Sequence, residues 1–298
     1  MENFVLTISF LLMGMGLRRL PNFPKDTAQV LNLFAIYLSL PALVLLKVPA
    51  LHFSADILVP VIMPWAMLAF SAMTILLLAK FFRWEKEVVG VLLLLIPLGN
   101  TSFLGIPMVQ AFFGESGIPY AVLYDQLGSF LALATYGAVV LALYGSGDKP
   151  TLNSVVTRIV SFPPFIALML ALACRTLTFP APLLALLNVL AATLVPVVMV
   201  AVGFQLTLRL SPEVLKPLGV GLILKLAVAP LVALLFCRLL GLGNLAAQVA
   251  VFEAGMPPMV SAGALAIMAG LSPKLTAALI GLGIILAFVT LPLIFQLL

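Results

Sequence analysis

Charge is what this chain has least of. Only 8% of its 298 residues are Asp, Glu, Lys or Arg, against about a quarter in a soluble domain. So few charges cannot cover a water-facing surface, which excludes a soluble enzyme or binding module. The formal charge of +5 is therefore read as topology and not as a nucleic-acid footprint. Metal ligands are scarce as well. One histidine, His52, and two cysteines, Cys174 and Cys237, are too few for a zinc or iron–sulfur site. Both cysteines fall near outer span ends, where they serve as a disulfide or, the reading adopted, as independent thiols. Long polar linkers are missing too. The longest plausible loop is GSGDKPTLNS at 145–154, so no soluble domain fits between the apolar runs. With no metal cluster and no Ser/His pair at matching depth, an intramembrane enzyme is the least fitting class.

What the chain has is apolar length, with 64% hydrophobic residues. A bilayer core of about 30 Å needs about 20 apolar residues as helix. That ruler predicts an all-α polytopic membrane protein of ten spans. They lie near 3–20, 27–47, 57–82, 87–113, 119–144, 155–176, 182–208, 214–240, 245–270 and 275–297. The first run is followed by Arg18 and Arg19 instead of a small-residue cleavage site, so it reads as a span and not as a signal peptide. Eleven Lys and Arg, from Arg18 and Arg19 through Lys80, Lys149, Arg158 and Arg209 to Lys274, fall on one side. Only Lys47, Arg175 and Arg238 fall on the other, while Lys225 lies inside a span. The richer side is expected in the cytoplasm, with both termini outside.

Self-comparison suggests a repeat. LNLFAIYLSLPALV (31–44) resembles LNVLAATLVPVVMV (187–200), LGSFLALAT (127–135) resembles LGIILAFVT (282–290), and IPMV (106–109) faces PPMV (257–260). The windows occur in the same order at nearly constant offset. Each copy, 1–147 and 152–298, holds an odd five spans, so the second must enter the membrane upside down. Inverted repeats with interrupted spans at matching positions point to a secondary transporter's binding site.

The interruptions are GNTSFLGIPMV (99–109) in span four and FEAGMPPMVSAG (252–263) in span nine. Gly99, Gly105 and Pro107 in one, with Gly255, Pro257 and Pro258 in the other, predict two half-helices joined by an extended piece. A second half-helix starting near Pro107 would leave free N–H groups around Met108–Gln110; its counterpart near Pro258 would leave them around Met259–Ser261. Such ends favour an anion. Asn100, Thr101 and Ser102 add neutral donors and acceptors; Asn100 either hydrogen-bonds a substrate carboxylate, the reading preferred, or satisfies freed backbone. The carbonyls around Leu98–Gly99 and Ala254–Gly255 favour a cation. A proline kink that only shapes the bundle is the alternative.

Three charged residues are expected within spans: Asp125, Lys225 and Glu253. A charge at the helix centre costs about 2.5–3.5 kcal/mol, so such residues usually face a cavity or a partner. Glu253 is a candidate to hold a cation or carry a proton, or else to pair with Lys225. Asp125 is either functional or a capping residue near the interface; Gln126 and Gln205 are weaker candidates. Asn32 and Asn188 are read as pinning helix contacts.

GNTSFLGIPMVQAFFG followed by YAVLYDQLGSF resembles the fourth and fifth spans of the auxin efflux carrier family, which includes plant PIN proteins and many bacterial permeases. The likeness extends over LNLFAIYLSLPAL and FEAGMPPMVSAG, essentially the whole chain. The resemblance implies two inverted repeats of five spans with crossing broken helices. It implies a scaffold part (spans one, two, six and seven), a moving part (spans three to five and eight to ten), and room for a homodimer through the scaffold. It also implies transport of a small organic anion, auxin-like or malonate- or malate-like. The family's crossover Asn and Pro fall on Asn100 and Pro107, and its second crossover proline on Pro257 or Pro258. A short loop after span five, unlike the long loop of many plant members, points to a bacterial member in the cytoplasmic (inner) membrane. A more distant likeness is to the bile acid sodium symporters, whose Glu-x-Gly-Met stretch binds sodium; here it is Glu253, Gly255 and Met256, with Pro257 replacing their Gln. The alternatives are therefore a sodium-coupled symporter of a bulkier amphipathic anion and a transporter-shaped sensor without net flux. Na+ or H+ is the expected coupling ion, and no other cofactor is implied.

Overall fold

Proline dictates much of the local geometry, because its ring clashes with the carbonyl four residues back and its nitrogen donates nothing. In the computed structural model, which describes residues 2–49, 51, 55–146, 151–175, 179–206 and 210–298, three helices widen into a π-turn just ahead of a proline. The turns are Ala35–Ser39 before Pro41, Thr101–Gly105 before Pro107 and Leu224–Val228 before Pro230. Widening by one residue relieves the clash without ending the helix. His52, Lys149 and Arg209 lie outside the described residues.

The chain is all-α. The helices are α1 Glu2–Leu17, α2 Thr27–Lys47, α3 Ala55–Phe82, α4 Lys86–Leu95, α5 Thr101–Phe113, α6 Glu115–Tyr144 and α7 Leu152–Val160. They continue as α8 Pro163–Ala173, α9 Ala181–Gln205, α10 Pro212–Leu239, α11 Leu245–Ala254, α12 Val260–Met268 and α13 Pro273–Leu297. Among the described residues, six of these (α2, α3, α6, α9, α10 and α13) are long and apolar enough to cross a membrane. A seventh crossing results if α7 and α8, bent by 61°, are one span. The chain is thus a polytopic membrane protein. α1, α5 and α11 are shorter apolar helices.

The chain forms two compact units. The first takes Met1–Ser54, Ser102–Val122 and Thr157–Leu206. Its tightest seam is α1 against the second half of α9. There a Cβ added to Gly14 would lie 2.1 Å from the Val200 carbonyl oxygen, and one added to Gly203 would lie 2.0 Å from that of Leu11. The backbones touch because neither residue has a side chain. Ala28, Ala201 and Phe204 pack beside this seam with Leu17 and Leu31. Ser39 of α2 and Thr193 of α9 share a hydroxyl–hydroxyl hydrogen bond of 2.7 Å.

The second unit takes Ala55–Thr101, Leu123–Val156 and Thr207–Leu298. Its core is α4, buried over Val89–Leu95, and α11, buried over Ala246–Ala254 apart from the half-buried Gln248. Both helices are apolar nearly all round because protein, not solvent, surrounds them. Asn244 caps α11 by accepting from the Ala247 N–H at 3.0 Å.

Candidate functional site

Two helix breaks build the site. α4 stops at Leu95 because Pro97 follows Ile96, and the chain leaves helical geometry until Thr101. α11 stops at Ala254, ahead of Gly255, Pro257 and Pro258, and α12 starts at Val260. Buried backbone must find partners, and the two breaks supply them to each other. Asn100 donates its N–H to the Pro257 carbonyl at 2.8 Å, and Met259 donates to that of Leu98 at 3.0 Å. Gly99 and Pro258 thus face each other as an antiparallel bridge. In this register neither facing residue donates; the flanking ones do. Pro258 therefore loses nothing by lacking an N–H, and Gly99 admits the close approach. Tyr136 satisfies another carbonyl near the end of α4, donating its hydroxyl to Leu93 at 2.9 Å.

The crossing rests on α13. A Cβ at Gly283 would lie 2.7 Å from Cδ of Pro258 and 3.5 Å from Cβ of Pro257. A rigid ring pinned by the adjoining backbone bonds gives way poorly. Gly283→Ala is expected to cost about 1–3 kcal/mol by overpacking, measurable as a lower melting temperature in detergent.

Polar side chains gather on the bridge, all in the second unit. Asn100 is 2% exposed and its Nδ2 lacks a hydrogen-bond partner. Thr101 donates to Asp125 at 2.5 Å, and Gln126 Nε2 donates to the other Asp125 oxygen at 2.6 Å. Gln126 Oε1 has no partner. Glu253 is fully buried and neither of its carboxylate oxygens has a hydrogen-bond partner. Lys225 Nζ lies 3.5 Å from the carbonyl of Ala254, the last residue of α11, and 3.2 Å from where a Cβ at Gly99 would stand. Two buried carboxylates and one buried ammonium thus share the bridge. Asp125, expected near the interface as one alternative, is fully buried.

One expectation is corrected. The half-helix after the first break starts at Thr101 and not near Pro107, since the π-turn carries helix upstream of the proline. Its free N–H groups are those of its first turn, from Thr101 on, instead of Met108–Gln110. α12 starts at Val260, and the Met259 N–H, expected among the free groups around Met259–Ser261, is instead taken by the Leu98 carbonyl. Of the site residues read from sequence, Asn100, Thr101, Asp125, Gln126, Lys225, Glu253, Gly255, Met256, Pro257, Pro258, Met259 and Ser261 belong to the second unit. Ser102, Gly105, Pro107 and Met108 belong to the first.

The first unit has a feature the sequence reading missed. A cavity of about 470 Å³ is lined by Asn3, Lys47, Pro107, Gln110, Glu115 and Asn188, among others. Lys47 pairs with Glu115, which also accepts from Gln110 at 3.1 Å. Lys47 was read only as a topology marker and Asn188 only as a helix contact. Neither lies near Glu115 in sequence, so no local signal marked the cavity. Cys174 and Cys237 are both free.

Comparison with known proteins agrees with this picture of a membrane protein. A model of the membrane transport protein family matches residues 1–295. The chain is similar to a protein described as an uncharacterized transporter of Methanocaldococcus jannaschii, 31% identical over 248 residues, which are 78% of this chain and 77% of that protein. It is also similar to one described as an uncharacterized transporter of Methanothermobacter thermautotrophicus. Those two are 26% identical over 298 residues, 98% of this chain and 96% of the relative.

Proposed function

The chain belongs to the membrane transport protein family, and from that membership we propose that it is a secondary carrier of a small organic anion. The substrate class is a carboxylate or dicarboxylate, moved by alternating access. The observation that carries this reading is the polar crossing of two broken helices. The first turn of α12, from Val260, has N–H groups with no acceptor inside the helix, and the buried Asn100 amide nitrogen has no hydrogen-bond partner. Such an arrangement stabilises a carboxylate through dipoles and donors without a fixed positive charge on the ligand side. Thr101, Ser102, Gly105, Pro107, Met108, Pro257, Pro258 and Met259 complete the proposed binding segments.

The finer architecture belongs to the same proposal: ten spans in two inverted repeats, with spans four and nine broken. The paired breaks support it, as does the hydrogen bond between Ser39 and Thr193, which occupy nearly matching places in the two repeats. Alternating access then comes from movement of spans three to five and eight to ten against spans one, two, six and seven. The division of the chain into two compact units parallels that assignment except over Ser102–Val122, which joins the first unit. A homodimer through the scaffold spans and both termini outside complete the reading. The two relatives are archaeal, which widens the expected setting to a prokaryotic cytoplasmic membrane.

Uptake of labelled malonate, malate and indole-3-acetate into proteoliposomes, with sodium and proton gradients imposed separately, tests the carrier. If none of them moves under any gradient, the reading fails. Asn100→Ala is expected to weaken affinity for the transported anion about tenfold, the worth of one hydrogen bond to a charged group, with no fall in melting temperature. Unchanged affinity removes Asn100 from the site.

A further inference from the structure

Near the middle of the chain, α7 carries a pattern that no described residue covers. In its sequence LNSVVTRIV, the apolar Leu152, Val155, Val156, Ile159 and Val160 fall at i, i+3, i+4, i+7 and i+8. At about 100° per residue they fill one arc of the helix, and Asn153, Ser154, Thr157 and Arg158 fill the opposite one. Such a stripe normally packs on a core, yet α7 has no buried residue. Leu152 is 81% exposed, Val156 47% and Val160 59%. Arg158 is the only charge on the helix, and among the described residues no carboxylate pairs with it.

α7 does not run straight into α8. Phe162 precedes Pro163, which holds it in extended geometry (φ −76°, ψ 115°), and the two helices are bent by 61°. α8 turns Ile166 and Leu170 outward, as a membrane protein does toward lipid. With α8 crossing the bilayer, the bend swings α7 toward the membrane plane. Carried straight on into hydrocarbon, α7 would take its whole polar arc with it, where polar groups are costly.

We propose that α7 is an interfacial helix, with its apolar arc set among the acyl chains at the membrane surface and Arg158 paired with the phosphate of an anionic lipid headgroup. Lipid is the occupant that fits. The exposed stripe is apolar and adjoins the outward surface of α8 along the chain. The unopposed guanidinium complements a phosphate. Arg158 also falls on the side richer in Lys and Arg, read as cytoplasmic, where the leaflet is anionic. A helix with these two faces lies in the interface plane and does not span. Span six then begins at the bend. The placement requires only a membrane protein and is independent of what the protein carries.

A bimane fluorophore on single added cysteines reads the placement in the full-length protein, reconstituted in phosphatidylcholine vesicles. Cys174→Ala removes the more accessible native thiol, Cys237 is buried, and protein without an added cysteine gives the background. Labels at Val156→Cys and Val160→Cys are expected to be quenched by 5-doxyl phosphatidylcholine and shielded from iodide. Labels at Ser154→Cys and Thr157→Cys are expected to show the reverse. Lipid quenching that deepens steadily from Ser154 to Val160, whatever the face, makes α7 part of a span and overturns the proposal. Iodide quenching at all four positions leaves α7 in water and overturns it as well. So does shielding of Val156 and Val160 from both quenchers, which covers the stripe with protein such as a second copy. The headgroup is judged at Val156→Cys, with 5-doxyl phosphatidylglycerol replacing the choline lipid at equal mole fraction. The anionic lipid is expected to be enriched about fivefold around the label, and Arg158→Gln to abolish the enrichment. Equal quenching by the two lipids, or a preference that survives Arg158→Gln, overturns the headgroup contact.

Discussion

Glu253→Gln is expected to lower anion uptake at least about 100-fold, the equivalent of about 2.7 kcal/mol, while leaving the melting temperature unchanged or higher. The reasoning starts from cost. A carboxylate in the middle of a membrane helix is unfavourable by about 2.5–3.5 kcal/mol on the insertion scale. Glu253 adds a second burden, since neither oxygen has a hydrogen-bond partner. A buried carboxylate without a hydrogen-bond donor is costly to stability, which points to a functional role for the residue. The isosteric amide keeps the shape and removes both the charge and the capacity to carry a proton. Charge balance also favours folding of the variant: two carboxylates and one ammonium become one of each, Asp125 and Lys225. Paired melts and uptake assays check this. A variant that loses stability but transports in proportion to its folded fraction would show Glu253 to be structural.

Gly203→Val is expected to yield no folded protein after detergent extraction, and Gly203→Ala to cost at least the upper end of the about 1–3 kcal/mol typical of overpacking. The added Cβ would meet the Leu11 carbonyl oxygen at 2.0 Å, and Gly14 faces Val200 with the same tightness. Backbone cannot rotate aside as a side chain can, so α1 and α9 would have to separate. Gly16 is the internal control. It lies on the same helix as Gly14 with nothing near its absent Cβ, and Gly16→Ala is expected to be neutral or slightly stabilising through helix propensity. Melting curves of the variants side by side settle the comparison. Equal behaviour of Gly16→Ala and Gly203→Ala would remove the seam from the account.

How much of this was legible beforehand depends on how local the cause is. Proline and glycine act through their own backbone, so both breaks could be read directly from GNTSFLGIPMV and FEAGMPPMVSAG. The helix start was misplaced because Pro107 marks where a helix is disturbed, not where it begins. Whether the disturbance ends the helix or only widens a turn depends on packing, and here it widened Thr101–Gly105. The repeat aligned Pro107 with Pro258, yet Pro258 faces Gly99. Symmetry between copies specifies equivalent positions, not contacts. The buried setting of Lys225 and Glu253 was expected from their place in apolar runs. That Lys225 reaches Ala254 across the break is a fact of tertiary structure that no spacing encodes. The cavity beside Lys47 and Glu115 was illegible for the same reason.

The Gly99–Pro258 bridge has a bearing on how the molecule is made. Its two hydrogen bonds join segments whose synthesis is separated by half the chain. While the ribosome is still extending the middle of the protein, the N–H of Asn100 and the carbonyl of Leu98 have no partner, in surroundings where water is scarce. Only when Pro257 and Met259 emerge and are inserted does the first break acquire its complement. Until then the nascent chain holds a half-formed joint. The part of the molecule proposed to meet substrate is therefore among the last to be completed, and quality control of the newborn protein has one late event to inspect.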